Sequence, residues 1–142
     1  MRIIALDLGT TTLGIAMTDK TNTIASPYKT LKFNHEDYES VLEPLKEIIE
    51  TNNITKVLLG LPKNMDNTEG FAAQRSINFK NMLDNYLNID TILIDERLTT
   101  VMAHKILSEQ DIASKKRKQV IDSMSAVLIL ETYLGRMNNN EE

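Results

Sequence analysis

Ile3-Ile4-Ala5-Leu6 is a run of four β-compatible apolar residues, stopped by Asp7 and a Gly9-Thr10-Thr11-Thr12 stretch. Gly14-Ile15-Ala16-Met17 then resumes the apolar pattern. Short apolar runs parted by glycine and threonine predict two strands joined by a tight turn. After the polar turn Thr18-Asp19-Lys20-Thr21-Asn22-Thr23, Ile24 to about Phe33 predicts a third strand. Short connections among the three make an antiparallel meander. The period then changes. From Asp37 to Thr51 the apolar positions Val41, Leu45, Ile48 and Ile49 recur at helical spacing, and Pro44 inside them marks a kink or a restart.

Lys56-Val57-Leu58-Leu59-Gly60 is near-continuously apolar, as in a parallel strand covered on both faces. The loop Leu61 to Asn67 follows, then a helix from about Thr68 to Asn85 carrying Phe71, Ile77, Phe79, Met82, Leu83 and Tyr86. Thr91-Ile92-Leu93-Ile94 predicts a fifth strand, ending at Asp95-Glu96-Arg97. Thr99 or Thr100 can cap a helix to about Ser108, and Gln110 to Lys118 is polar, basic and expected to be mobile. The last helix, Gln119 to about Arg136, is apolar over most of its circumference and must be largely buried.

The order β-β-β-α-β-α-β-α-α predicts an α/β fold. Its five-stranded mixed sheet has three antiparallel strands, then two parallel ones, with helices on both faces. We expect one domain over residues 1–137 and a disordered tail over 138–142.

Composition narrows the classes. With 142 residues and 42% hydrophobic content, the chain suits a single core and leaves no room for two substantial lobes. Sixteen Lys and Arg against twenty Asp and Glu give a formal charge of −4, so nucleic-acid binding must use a local patch. The absence of Cys excludes disulfides and thiolate metal sites and fits a reducing cytoplasm. Asp7 interrupts the first apolar stretch and no small-residue cleavage site follows, so no signal peptide is expected. No apolar run reaches the ~18 residues of a membrane span. Aromatic residues make up only 5% and Trp is absent, which argues against a base-stacking platform as the main binding device.

The chemistry gathers where strand ends meet. In such a sheet, sites form at the carboxyl ends of strands where strand order reverses. Asp7 closes the first strand, the Leu61 to Asn67 loop closes the fourth, and Asp95-Glu96-Arg97 closes the fifth. Asp122 lies one helical turn before Ser125 and Ala126, on the small apolar face they share with Ile129. Each acid has a plainer explanation. Asp7 could simply make the turn, and Asp122 could be a first-turn charge favoured by the helix dipole. Three carboxylates aimed into one cleft, however, repel one another unless cations neutralise them. Oxygen donors without Cys or a His cluster select Mg²⁺ or Mn²⁺. Two such ions clamp the attacking and leaving oxygens of a phosphodiester displacement. Lys63, Asn64 and Arg97 sit beside the acids as candidate phosphate contacts. Lys115, Lys116, Arg117 and Lys118 form the one dense basic run, read as a strand-guiding flap rather than merely solvated charge. His35 and His104 are isolated and expected at the surface.

With those residues laid out, the chain resembles the bacterial family of candidate pre-16S rRNA nucleases of the RNase H-like superfamily, also described as candidate Holliday-junction resolvases. The resemblance runs from Ile4 to about Tyr133. It rests on Asp7-Leu8-Gly9-Thr10, Gly60-Leu61-Pro62 with Asn64-Met65-Asp66, Thr68-Glu69, Asp95-Glu96-Arg97-Leu98-Thr99-Thr100, and Asp122-Ser123 before Ala126. The family usually has Gly where this chain has Asn67, and Asn also tolerates a left-handed turn. The resemblance implies an RNase H-like fold and metal-dependent cleavage. Catalytic and metal-binding acids fall at Asp7, Glu96 and Asp122, with Asp95 as a supporting acid that orients or substitutes for its neighbour.

The expected activity is Mg²⁺-dependent endonuclease cleavage of structured nucleic acid, with 5′-end processing of precursor 16S rRNA as the cellular role. Resolution of branched DNA is the alternative. Ribosomal particles are expected partners, and the chain is expected to be a monomer or homodimer. Two other classes fit less well. Actin-like ATPases and sugar kinases also carry Asp-x-Gly-Thr after a first strand, but they need two lobes and a second phosphate loop. A non-catalytic nucleic-acid-binding module would be free to lose the three acids.

Overall fold

Seven elements follow one another from Arg2 to Asp95. A computed structural model describes residues 2–62, 70–95 and 124–135. The strands are β1 (Arg2–Leu8), β2 (Thr12–Thr18), β3 (Ala25–Lys32), β4 (Ile54–Leu61) and β5 (Asp90–Asp95), and the helices α1 (Leu42–Thr51) and α2 (Phe71–Tyr86). Residues 124–135 are also helical. The strands make a single sheet in the order β3-β2-β1-β4-β5. β1 pairs antiparallel with β2 and parallel with β4, β2 pairs antiparallel with β3, and β4 pairs parallel with β5. The mixed sheet expected from the pattern is therefore present, with β1 at the reversal of strand order.

Alternation along the strands sends side chains into two cores. On one face Ile4, Leu6 and Leu8 pack with Leu45, Ile49, Phe79 and Leu83 of α1 and α2. On the other, Ile3, Ala5, Ala16, Leu58 and Ile94 meet Ala126, Ile129 and Leu130. Ser125 to Leu130 are all buried, as the apolar circumference of that helix requires. β3 is the outer strand, mostly exposed, and it carries Pro27, Lys29 and Lys32, which blunt an open edge.

Two expectations need adjustment. The helix containing Pro44 is a 3-10 turn, Tyr38–Val41, followed by α1 starting at Leu42. Pro44 thus falls in the first turn of α1, where a backbone N–H has no helical acceptor to lose, and the proline restarts the helix instead of kinking it. The second concerns α2. Gly70 is extended at its amino end, and Phe71 is 93% exposed rather than part of the core. The buried stripe of α2 is Ala73, Ser76, Phe79 and Leu83. Phe71 lies about 200° round the helix from Ala73 at ~100° per residue, so it points away from the sheet.

The expected loop contacts 63–67, the helix to Ser108, the segment 110–118 and the tail 138–142 lie outside the described residues. No described helix is long and apolar enough to cross a membrane.

Candidate active site

Asp7 is the penultimate residue of β1, half-buried, and alternation sets it on the face of Ile3 and Ala5, the face covered by residues 124–135. Its partner across β2 is Gly14. The β1–β4 register pairs Leu6 with Leu59, so its next step sets Asp7 against Gly60. Both glycines are buried. A carboxylate flanked by two residues without side chains is crowded by neither neighbouring strand. This is a place where an ion or a phosphate oxygen can approach along the sheet.

The turn after Asp7 is held from several directions. Gly9 N–H donates to the Thr12 carbonyl at 2.8 Å, closing the connection to β2. A Cβ at Gly9 would come within 3.3 Å of Thr12 Oγ1, tighter than ordinary contact. Phe33 N–H donates to the Thr11 carbonyl and Glu36 N–H to the Thr10 carbonyl, both at 2.9 Å. The tight turn read from the Gly-Thr run is present, and the segment after β3 clamps it. Such backing fixes the strand end that carries the acid.

Helix 124–135 is oriented by one side-chain pair. Lys56 Nζ donates to Tyr133 Oη at 2.8 Å and stands 5.3 Å from the centroid of the same ring. Lys56 pairs with Ile3 at the start of β1, so the carboxyl end of the helix lies over the amino ends of β1 and β4. From Tyr133 back to Met124 the helix rises ~13 Å at 1.5 Å per residue. From Ile3 to Asp7 the strand advances ~13 Å at 3.3 Å per residue. The first described turn of the helix therefore comes level with Asp7. Ser125, Ala126 and Ile129, expected to share one inward face, are all fully buried.

Asp95 ends β5 opposite Leu61. Ile92 and Ile94 belong to the core under helix 124–135, whereas Leu93 packs against the core of α1 and α2. Strand alternation thus assigns Asp95 to the layer opposite Asp7. The period-2 signal that separates the two was already in the sequence, since Thr91, Leu93 and Asp95 alternate with Ile92 and Ile94.

Of the remaining predicted site residues, Glu96, Asp122, Lys63, Asn64, Arg97, Lys115, Lys116, Arg117 and Lys118 lie outside the described residues. Among the described residues no three His, Cys, Asp or Glu side chains converge as a metal site. Oxygen donors are what a hard divalent ion takes, and Asp7 supplies one at a strand end with room beside it. The donor chemistry fits such an ion. His35 is exposed, 3.9 Å from Glu36, as expected, and His104 lies outside the described residues.

The chain matches the sequence model of the family RuvX, Holliday junction resolvase, over residues 1–136. A Bacillus subtilis (strain 168) protein named as a candidate pre-16S rRNA nuclease is 44% identical over 138 residues, covering 97% of this chain and 100% of its own length. A Shouchella clausii (strain KSM-K16) protein with the same name is 40% identical over 139 residues and 98% of each chain. Among solved structures, Thermus thermophilus RuvC aligns with a TM-score of 0.57 at 11% identity, covering 97% of each chain. The Fowlpox virus resolvase in complex with Holliday junction DNA aligns at 0.58 and 13% identity, covering 96% of this chain and 99% of its own. These likenesses place the fold in the RNase H-like group.

Proposed function

The chain belongs to the RuvX family of Holliday junction resolvases, and from that membership we propose that this nuclease is a divalent-metal-dependent endonuclease that processes the 5′ end of precursor 16S rRNA in the cytoplasm. The rRNA substrate is supported by the names of the relatives at 40–44% identity over nearly the whole chain. The observation that carries the site is the run of helix 124–135 back along β1, which ends level with Asp7 and directs the chain before it, including Asp122, toward that acid. Glu96 follows β5 directly and would continue the alternation of Ile92 and Ile94 onto the Asp7 face.

In this reading Asp7, Glu96 and Asp122 hold Mg²⁺ or Mn²⁺. The bound metal supplies Lewis-acid stabilisation of the phosphate and activation of water for hydrolysis. Lys63, Asn64, Arg97 and the run Lys115, Lys116, Arg117 and Lys118 contact the phosphate backbone and set the strand across the acids. Asp95, on the other layer, acts through the strand end that positions Glu96 instead of sharing the ion.

Branched DNA is the second reading, favoured by the description of the matched family. One experiment separates the two. Purified protein is given precursor 16S rRNA and a four-way DNA junction side by side, with Mg²⁺, with Mn²⁺ and with EDTA. The proposal expects cleavage at the rRNA 5′ end with either ion and none in EDTA. Cleavage of the junction alone moves the assignment to DNA, and full activity in EDTA overturns the metal mechanism.

A further inference from the structure

Phe71 is 93% exposed, more than any other large apolar side chain among the described residues. A phenylalanine left in water forgoes the hydrophobic gain of burial, so a position this open on a well-formed helix calls for an occupant. Its place is informative. Only residues 87–89 separate the end of α2 from the start of β5, so α2 runs opposite to β4 and β5. The first residue of α2 therefore stands at the same end of the sheet as Asp7, one layer across, at ~10 Å by ordinary layer spacing.

The surface behind Phe71 is equally distinctive. Gln74, Asn78, Asn81 and Asn85 are exposed at successive three- and four-residue steps from it, and Gln74 Nε2 donates to Asn78 Oδ1 at 3.1 Å. The first turn carries no acid. The single acid of α2, Asp84, is paired with Lys80 at 2.6 Å. A chain with net charge −4 thus keeps one helix face free of unpaired negative charge, headed by a bare aromatic ring. A protein partner would want a broader apolar core around such a ring. A nucleic-acid strand wants a π-face, neutral hydrogen-bonding groups and no acids.

We propose that Phe71 is a nucleobase-stacking residue: an unpaired base of the substrate, about three nucleotides from the scissile phosphate at ~3.4 Å per step, lies on its ring, with Gln74 and Asn78 beside the strand. The inference rests on the endonuclease reading but concerns a different contact. Low overall aromatic content does not oppose it, because one placed ring suffices.

The test uses two probes, an RNA hairpin with a single-stranded 5′ tail and an immobile four-way DNA junction, each with 2-aminopurine at an unpaired or branch-point position. Binding is read in an Asp7→Asn background and cleavage in the otherwise unchanged protein. Phe71→Ala is expected to weaken binding about fivefold to a hundredfold, the range measured for one base–aromatic stack. It should also abolish the fluorescence change while leaving the melting temperature in place, and Phe71→Trp should restore both binding and signal. Equal affinity and signal for Phe71→Ala overturns stacking even if the protein cleaves. A change in self-association with no change in nucleic-acid binding reassigns the ring to a protein contact. Phe71-dependent binding without cleavage keeps stacking and removes the nuclease reading, whereas no binding of either probe removes both.

Discussion

Asp7 is the residue on which the chemistry turns, and substitution separates its catalytic reading from a turn-making one. Asp7→Asn, Glu96→Gln and Asp122→Asn should each lower cleavage by at least the ~10–100-fold that loss of an outer-shell partner costs a metal site. Asp122 carries the sharpest alternative. As a mere helix-start charge, its replacement would cost ~0.3–1 kcal/mol of stability and spare activity. Melting temperature and cleavage of that one variant decide between them, and an active, destabilised Asp122→Asn protein reassigns the third ligand. A different aspartate shows what a purely structural carboxylate looks like. Asp19 accepts from Thr21 Oγ1 at 2.7 Å, Thr23 N–H at 2.9 Å and Ile24 N–H at 3.1 Å, closing the β2–β3 turn. The Thr21 hydroxyl first, then the two backbone donors, hold its carboxyl down at about 2 against an ordinary 3.8. A depressed folded-state value means the stabilisation is full above 3.8 and is lost as pH falls through about 2. Asp19→Ala should therefore melt below the wild type at neutral pH, with the gap closing across that acid window and activity untouched. The effect is small because the group is exposed, and a pH-independent gap would mean the turn is held by something other than this charge.

At the scale of elements, the close approach of helix 124–135 to the sheet depends on small residues. Ala5, Ala16 and Ala126 are all fully buried between them. Ala126→Leu should overpack this contact at a cost of about 1–3 kcal/mol, and by lifting the helix start it should depress cleavage more than the stability loss accounts for. Measured at a temperature where the variant remains folded, unchanged kcat would show that the helix position does not govern the site. The elements themselves were readable because their periods are strong. Four apolar residues before Asp7, alternation after Gly14 and the continuous run Val57-Leu58-Leu59 each have one economical solution, and the structure adopts it. Sequence pattern failed where tertiary geometry decided. Phe71 sits at helical distance from Ile77 and Phe79 in a loose count, yet the buried stripe starts at Ala73 and excludes it. Asp95 and Glu96 read as one acidic end, although a strand sends neighbours to opposite faces. Pro44 read as a kink or a restart until the 3-10 turn before α1 put it in a first turn. The candidate site was legible only as a list of acids at strand ends, because convergence is a property of register and layer.

For the whole molecule, the balance of charge ties folding to metal. If Asp7, Glu96 and Asp122 share a cleft, the metal-free protein carries mutual repulsion among partly buried carboxylates, and any one neutralising substitution relieves part of it. The metal-free Asp7→Asn protein should then melt at or slightly above the wild type. Divalent ions act in the opposite sense. An ion that binds the folded state alone stabilises it by RT ln(1 + [L]/Kd), about 2.7 kcal/mol when the ion is at a hundred times its Kd. Mg²⁺ held by a few carboxylates without substrate phosphates is weak, so the wild-type melting temperature should climb gradually through millimolar concentrations. Each of the three variants should climb less, and Asp95→Asn should follow the wild type, because its layer is the wrong one for the shared ion. Calorimetry across a Mg²⁺ series reads all five proteins without substrate and so does not depend on whether RNA or DNA is cleaved. Parallel curves for wild type and Asp7→Asn would mean that the acids do not hold the ion together, and the reason for three carboxylates at one end of the sheet would have to be sought elsewhere.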